Sequence, residues 1–251
     1  MRPGASAALP SLVIVMMNVR VICAAAMLLP GVATAQSVPA SANSAASSAA
    51  RAAVLLERTA RLYTASRALR AEFTQRLTNP ITSSESQSAG SYLQRGPGVF
   101  SIAFSKPAGD RIVSDGKTLW VFVPSAAPGQ VMKLPVGTDS PGGIDLVGQF
   151  FTSPSRKFAV SDGGTETVAG ASLRKLVLVP RTDMGFRRAV LWITPRGGEL
   201  KQLEVTEGSG VVRTLSFTSI QRNAQLPTDA FTFSVPRGVT VVDPAAMMRG
   251  L

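Results

Sequence analysis

Apolar residues recur with two different periods along this chain. Leu55, Leu62, Leu69 and Phe73 follow one another at spacings of seven, seven and four, with Arg58, Arg61, Arg67 and Arg70 between them. That pattern predicts an amphipathic helix of about six turns whose apolar stripe docks on something. Asn79-Pro80 is expected to end it, because proline disfavours helix in the residue before it. From Gly90 onward the period becomes two. Candidate strands are 90–95, 99–105, 110–114, 118–123, 130–134, 157–161, 165–169, 172–179, 187–194, 199–207, 211–221 and 231–235, separated by Gly- and Pro-containing turns. Many short strands so punctuated predict an antiparallel sandwich, barrel or strongly curved sheet. No repeat period is visible, which argues against a propeller or solenoid.

One strand breaks the simple pattern. In IVSDGKTLWVFVP (112–124), Asp115-Gly116 signals a hairpin turn. After it Leu119, Val121 and Val123 share one face, and Trp120 and Phe122 share the other. An antiparallel strand with one wet face alternates apolar with polar, so both faces of this one need a cover. A second interruption is PGGIDLVGQFF (141–151), whose apolar residues Ile144, Leu146, Val147, Phe150 and Phe151 fit a short helix. It serves either plain packing or as a lid over a concave face. Tyr92, Phe100, Phe104, Trp120 and Phe122 all fall in the first four candidate strands. With Phe150 and Phe151 they either line one apolar pocket or fill the core.

The first 35 residues are set apart. Arg20, the apolar run VICAAAMLLPGV and an Ala-x-Ala ending at Ala35 make a secretory signal peptide, with cleavage expected after Ala35. MNVRVICAAAMLLPGVATA from Met17 is a complete signal by itself, so 1–16 reads as an over-long start, with Met16 or Met17 as the first residue. The Ser/Ala-rich stretch 36–50 is expected to be a flexible tether, followed by a single domain, 51–251.

Charge and composition narrow the chemistry. Arg2 and Arg20 are the only charges before Gln36, which leaves 24 basic and 15 acidic residues and a net charge of +9. That balance suits an anionic surface; nucleic acid is the weaker option for an exported chain without a basic run interleaved with aromatics. Cys23, the only cysteine, lies in the segment to be removed, and the chain has no histidine. Disulfides, Cys-based metal sites, Ser-His triads and imidazole bases are therefore excluded from the processed chain. There is no phosphate loop and no nucleophile elbow. Several acids, Asp115, Asp162 and Asp183 among them, sit in turn sequences, where Asp satisfies local backbone N–H groups. Nothing supports an enzyme.

More specific are five segments that occur in order: LRAEFTQRL (69–77), GSYLQRGPGVFSIAFSKP (90–107), IVSDGKTLWVFVP (112–124), LVLVP (176–180) and LPTDAFTFSVPRGVTVVD (226–243). Together they resemble the LolA-type periplasmic carriers of outer-membrane lipoproteins, over roughly residues 54–243. The resemblance implies an unclosed antiparallel β-barrel of about eleven strands with a helical lid over an apolar cavity. It further implies a periplasmic monomer that takes acylated lipoproteins from an inner-membrane ABC transporter. The carrier would deliver them to an outer-membrane receptor or an anionic membrane surface, without cofactor, metal or nucleic acid. The cavity or lid would then draw on Leu62, Leu69, Phe73, Tyr92, Phe100, Phe104, Trp120, Phe122, Ile144, Leu146, Val147 and Phe150. Helical elements would cover part of the other face of 118–123, and the sequence leaves open which face is which.

One position departs from the family. Members typically carry Arg directly before the Pro of the second-strand turn, holding the lid closed. Here Gly96 stands in that slot and Arg95 lies one residue earlier. A one-residue shift exchanges strand faces, so either a bulge at Gly96 restores Arg95 to the lid, or the closing contact differs. Three other readings stay open: a carrier of another lipid or glycolipid, an envelope-stress lipid sensor of the same fold, and an envelope hydrolase.

Overall fold

A computed structural model describes residues 40–136 and 147–243. Helix α1 (Ala40–Thr64) precedes six strands: β1 (Leu69–Asn79), β2 (Ser84–Gln94), β3 (Val99–Lys106), β4 (Ala108–Asp115), β5 (Thr118–Phe122) and β6 (Gln130–Pro135). Two one-turn helices follow, α2 (Gly148–Phe151) and α3 (Pro154–Lys157). The chain then runs through β7 (Phe158–Val168), β8 (Ala171–Pro180), β9 (Phe186–Ile193), β10 (Leu200–Glu207), β11 (Val212–Arg222) and β12 (Thr240–Val242). All twelve strands join one sheet in the order β12-β6-β5-β4-β3-β2-β1-β11-β10-β9-β8-β7. Every pairing is antiparallel except β12 with β6. β12 and β7 are its free edges, so the sheet is open.

One face of this sheet is apolar almost from edge to edge. Leu119 of β5, Phe100 of β3, Tyr92 of β2, Phe73 of β1, Phe217 of β11, Leu203 of β10, Leu191 of β9 and Leu176 of β8 all belong to a single buried cluster. Ala52, Leu56 and Ala60 of α1, with Phe150 and Phe151 of α2, close it. Strands so far apart share a core only if the sheet curls, which its inherent twist favours. The result is the expected unclosed barrel with helices across its concave side.

Four elements differ from their sequence patterns. The predicted helix through Leu69 and Phe73 stops at Thr64, and 69–79 is strand β1. A spacing of four fits one face of a helix, but it is also even and fits one face of a strand. Leu69, Ala71, Phe73 and Gln75 are buried in strict alternation, and β1 pairs along nearly its whole length with both β2 and β11. Asn79 caps the turn after β1, accepting from the Ile81 N–H at 3.0 Å. Second, Ala40–Ala50, expected as tether, belongs to α1; the alanines that made it look featureless are also the best helix formers. Third, 231–235 alternates like a strand but is irregular. Turns with Ala230 N–H on the Pro227 carbonyl and Thr232 N–H on the Asp229 carbonyl take its place, and strand structure resumes at Thr240. The separate strands 157–161 and 165–169 are one strand, β7, with a register shift between Asp162 and Thr165.

The sequence's hairpin signals have concrete causes. Gly116 has φ +90°, and the Asp115 carboxylate accepts from the Lys117 and Thr118 N–H groups, each at 2.7 Å. Buried Ser114 donates to the carbonyl of Gly98 in the neighbouring turn. Gly90 is fixed by space instead, since a Cβ there would lie 2.4 Å from the Ala103 carbonyl oxygen.

Candidate functional site

Helix α1 carries an inward stripe, Ala52, Leu56, Thr59, Ala60 and Tyr63, at the 4-3-1-3 spacing that keeps one face of a helix turned to the core. The small alanines let the helix approach, and Leu56 fills the space between. Its C-terminal half rests on the β9–β10 turn. Leu62 lies against Gly198, whose φ of +69° favours glycine there. Arg58 donates to the Arg196 carbonyl, and the Tyr63 hydroxyl accepts from the Leu200 N–H at 3.2 Å. Burial pushes the Tyr63 phenol up to about 12, so it stays neutral at any physiological pH. On the other side Glu57 accepts from the Ser155 N–H and hydroxyl, tying α1 to α3.

Aromatic rings join this cover to the barrel. Tyr63 stacks on Phe151 at 4.5 Å. Phe150 meets Phe158 of β7 at 5.9 Å and Phe186 of β9 at 5.7 Å. Deeper in the concave face Phe73 meets Phe104 edge-on at 5.8 Å, and Tyr92 lies by Phe100 at 6.3 Å. A cleft of about 60 Å³ separates cover from barrel, lined by Tyr63, Ser66, Leu69, Gly96, Pro97 and Phe151 among others. A cleft that size holds one or two waters and no acyl chain. Among the described residues, the concave face is filled by its own side chains.

The sequence-predicted residues separate into two groups. Leu69, Phe73, Tyr92, Phe100, Val147 and Phe150 lie buried in the concave cluster, and Phe104 packs against it partly buried. Leu62 is half-buried at the β9–β10 turn. Ile144 and Leu146 lie outside the described residues. Trp120 and Phe122 require correction as cavity candidates. Leu119 and Val121 take the concave face, and side chains alternate, so Trp120 and Phe122 are on the convex one. Their cover is Phe233, stacked on Trp120 at 5.4 Å and tilted to Phe122 at 5.9 Å. The second face of LWVFV is therefore covered by an irregular C-terminal strap and not by helices.

Arg95 belongs with that strap. Its guanidinium lies over the Phe231 ring at 4.9 Å, while Gly96, with φ +79°, and Pro97 turn toward the cleft. The backbone N–H of Arg95 closes the turn on the Val99 carbonyl at 2.9 Å. The position facing the lid is thus held by a glycine. Sequence reasoning missed Tyr63, Phe158, Phe186 and Phe233. Tyr63 was readable, since it stands seven residues after Leu56 and four after Thr59 on one helix face.

Among the described residues there is no group of three or more His, Cys, Asp or Glu able to hold a metal, and no helix long and apolar enough to cross a membrane. The described residues form an open β-sheet whose concave apolar face is covered by helices, an architecture suited to shielding apolar groups. Residues 64–234 match the family described as outer membrane lipoprotein carrier protein LolA, and the chain belongs to that family. An outer-membrane lipoprotein carrier protein of Cupriavidus pinatubonensis is 30% identical over 68% of this chain and 79% of its own length. One from Methylibium petroleiphilum is 31% identical over 69% and 81%. Among solved structures, a LolA superfamily protein from Nitrosomonas europaea aligns with 72% of this chain and 97% of its own, at 17% identity and a TM-score of 0.41.

Proposed function

We propose that this chain is a periplasmic lipoprotein carrier, exported by cleavage after Ala35 and working as a monomeric single domain. It accepts lipoproteins from an inner-membrane ABC transporter and shields their acyl chains against the concave face. It then delivers them to the outer membrane, through a receptor or an anionic membrane surface. The observation that carries this reading is the pairing of family membership with a concave apolar face under a helical cover. Each methylene withdrawn from water is worth ~0.8 kcal/mol, so a multiply acylated anchor needs an apolar surface far larger than the present cleft. Lifting α1 and α2 off Phe73, Tyr92 and Phe100 provides one. No cofactor takes part, because transfer runs between one apolar surface and the next.

The test is release from spheroplasts. The exported chain is added, and the supernatant is assayed for lipoprotein in a soluble complex with it. Release that depends on ATP in the membrane is the expected result. A folded protein that binds apolar dye but releases no lipoprotein would overturn the cargo assignment in favour of another lipid.

A further inference from the structure

Helix α1 has a second face that its docking uses only in part: Arg58 holds the Arg196 carbonyl, Leu62 lies at the β9–β10 turn and Leu55 touches the core edge, and the rest is open. Arg51, Val54, Leu55, Arg58, Arg61, Leu62 and Ala65 follow one another at spacings of three, one, three, three, one and three, a stripe turned away from the inward Ala52–Leu56–Ala60 row. Val54 is 66% exposed. The stripe borders two recesses that meet at Arg58. One, of about 580 Å³, is mainly apolar and lined by Val54, Leu55, Leu176 and Pro195 with Arg51 and Arg174. The other, of about 350 Å³, is lined by Arg58, Arg61, Arg222, Leu62, Ser66 and Asn223. Among the described residues, Arg58, Arg61 and Arg222 make no ion pair with a carboxylate. The nearby acids are engaged elsewhere: Glu57 with Ser155, Glu199 with Lys201 at 3.1 Å, Asp162 with Arg174. The basic recess is also held firmly. Arg58 is anchored on the Arg196 carbonyl, and Asn223 accepts from the Arg67 N–H at 3.0 Å while donating its own N–H to Ala68 at 2.7 Å.

Unpaired guanidiniums gathered around one recess repel each other unless an anion sits among them, and guanidinium matches phosphate oxygens in pairs. An exposed apolar strip beside them is the composition of a helix that lies in a membrane interface. We propose that the outward face of α1, with Arg222, docks on anionic phospholipid headgroups, a phosphate entering the Arg58–Arg61–Arg222 recess and Val54 and Leu55 meeting the acyl boundary. The occupant is a lipid surface and not a soluble anion, because the charge recess continues into an apolar one. Ser66 lines both the basic recess and the cleft under the lid. A docked membrane therefore lies at the place where the cover opens. This deepens the carrier reading by naming what the lid meets; headgroup binding itself is measurable without any cargo.

The experiment is cosedimentation of the full exported chain with vesicles of phosphatidylcholine alone or mixed with phosphatidylglycerol. Binding to the mixed vesicles only, weakening as salt rises, is expected. Each arginine near an anionic surface is worth about fivefold in affinity, so the Arg58→Gln, Arg61→Gln, Arg222→Gln variant is expected to bind about a hundredfold more weakly. Val54→Ser with the arginines intact should also weaken binding, by a few-fold. Equal sedimentation of parent and triple variant, or displacement of the parent from vesicles by glycerol phosphate at low ionic strength, would overturn the proposal. Spheroplast release by the triple variant, run in parallel, separates the two readings. Lost vesicle binding with retained release leaves the carrier reading intact, and retained vesicle binding without release by either protein removes only that reading.

Discussion

The concave and convex faces of the sheet are covered by different materials. Helices α1 and α2 close the concave side through an interface that contains flaws. The Thr59 hydroxyl and the Gln149 side-chain carbonyl are buried there without a hydrogen-bond partner, each at a cost of about 1–3 kcal/mol, and the cleft beside Tyr63 is left unfilled. The C-terminal strap closes the convex side by stacked rings, Trp120 on Phe233 and Phe231 under Arg95. It continues into β12, which is hydrogen-bonded to β6. Backbone pairing cannot be given up strand by strand without exposing donors and acceptors, whereas a helix keeps its own hydrogen bonds when it swings away. The difference teaches which cover is built to open. A carrier needs one face that yields and one that does not.

The largest expected effect tests the lid. Phe150→Ala removes a fully buried ring from between Phe158 and Phe186, at about 3–5 kcal/mol. In the parent, amide exchange in α1 is expected to outpace exchange in β5, and the variant should widen that gap while binding apolar dye. Identical exchange in the two elements, in both proteins, would show one cooperative unit and break the comparison. Phe233→Ala acts on the other cover. Phe233 is half-buried, so the expected loss is about 2 kcal/mol, with Trp120 emission moving to longer wavelength and lipoprotein loading unchanged. Loss of loading with the fold intact would place the strap in the cargo path.

Smaller again is Asp115→Ala, expected to cost about 1 kcal/mol at neutral pH by removing the acceptor of two turn N–H groups. The Thr118 and Lys117 N–H groups hold this carboxyl below its ordinary value. A lowered folded-state pKa gives stability that is present above the unfolded value and lost as pH falls through the folded one. The gap between parent and variant should therefore close only in acid, below the usual carboxylate range. A gap that persists there would mean that packing and not the carboxylate supports the turn.

How much was legible in the chain depended on whether a pattern had one physical reading. The Asp115-Gly116 hairpin did, because few residues tolerate φ of +90°. So did the short alternations Leu176–Leu178 of β8, Leu203–Val205 of β10 and Leu215–Phe217 of β11, where buried residues flank a less buried one. The stretch 69–79 had two readings, since Leu69 and Phe73 share a face in a helix and in a strand alike. What decided it was pairing with β11, some 150 residues away in the chain, which no local period contains. The strand FTFSV failed in the opposite sense. Its phenylalanines do alternate in use, Phe231 under Arg95 and Phe233 on Trp120, but as wedges in a strap bounded by Pro227 and Pro236, where ladder hydrogen bonds are harder to form. The site split for the same reason. Leu69, Phe73, Tyr92 and Phe100 fell together because strand parity is rigid, whereas composition alone grouped Trp120 and Phe122 with them from across the sheet.

The smallest expected effect belongs to Arg95→Leu. In a protein whose lid were latched by this residue, leucine would uncouple closing from loading and leave a carrier that fills but does not empty. Here the guanidinium lies over Phe231 on the strap, and Gly96 takes the position beside the cleft. Exposed cation–π contacts are worth about 0.5–1 kcal/mol, and leucine retains part of the contact with the ring. The variant should therefore melt slightly lower, with loading and unloading at the parent's rates. Normal unloading would leave the lid closed by the contacts α1 makes with the β9–β10 turn and α3, the Arg58–Arg196, Tyr63–Leu200 and Glu57–Ser155 pairs. A block in unloading would instead mean that strap and lid move together, and that the firm cover is part of the latch.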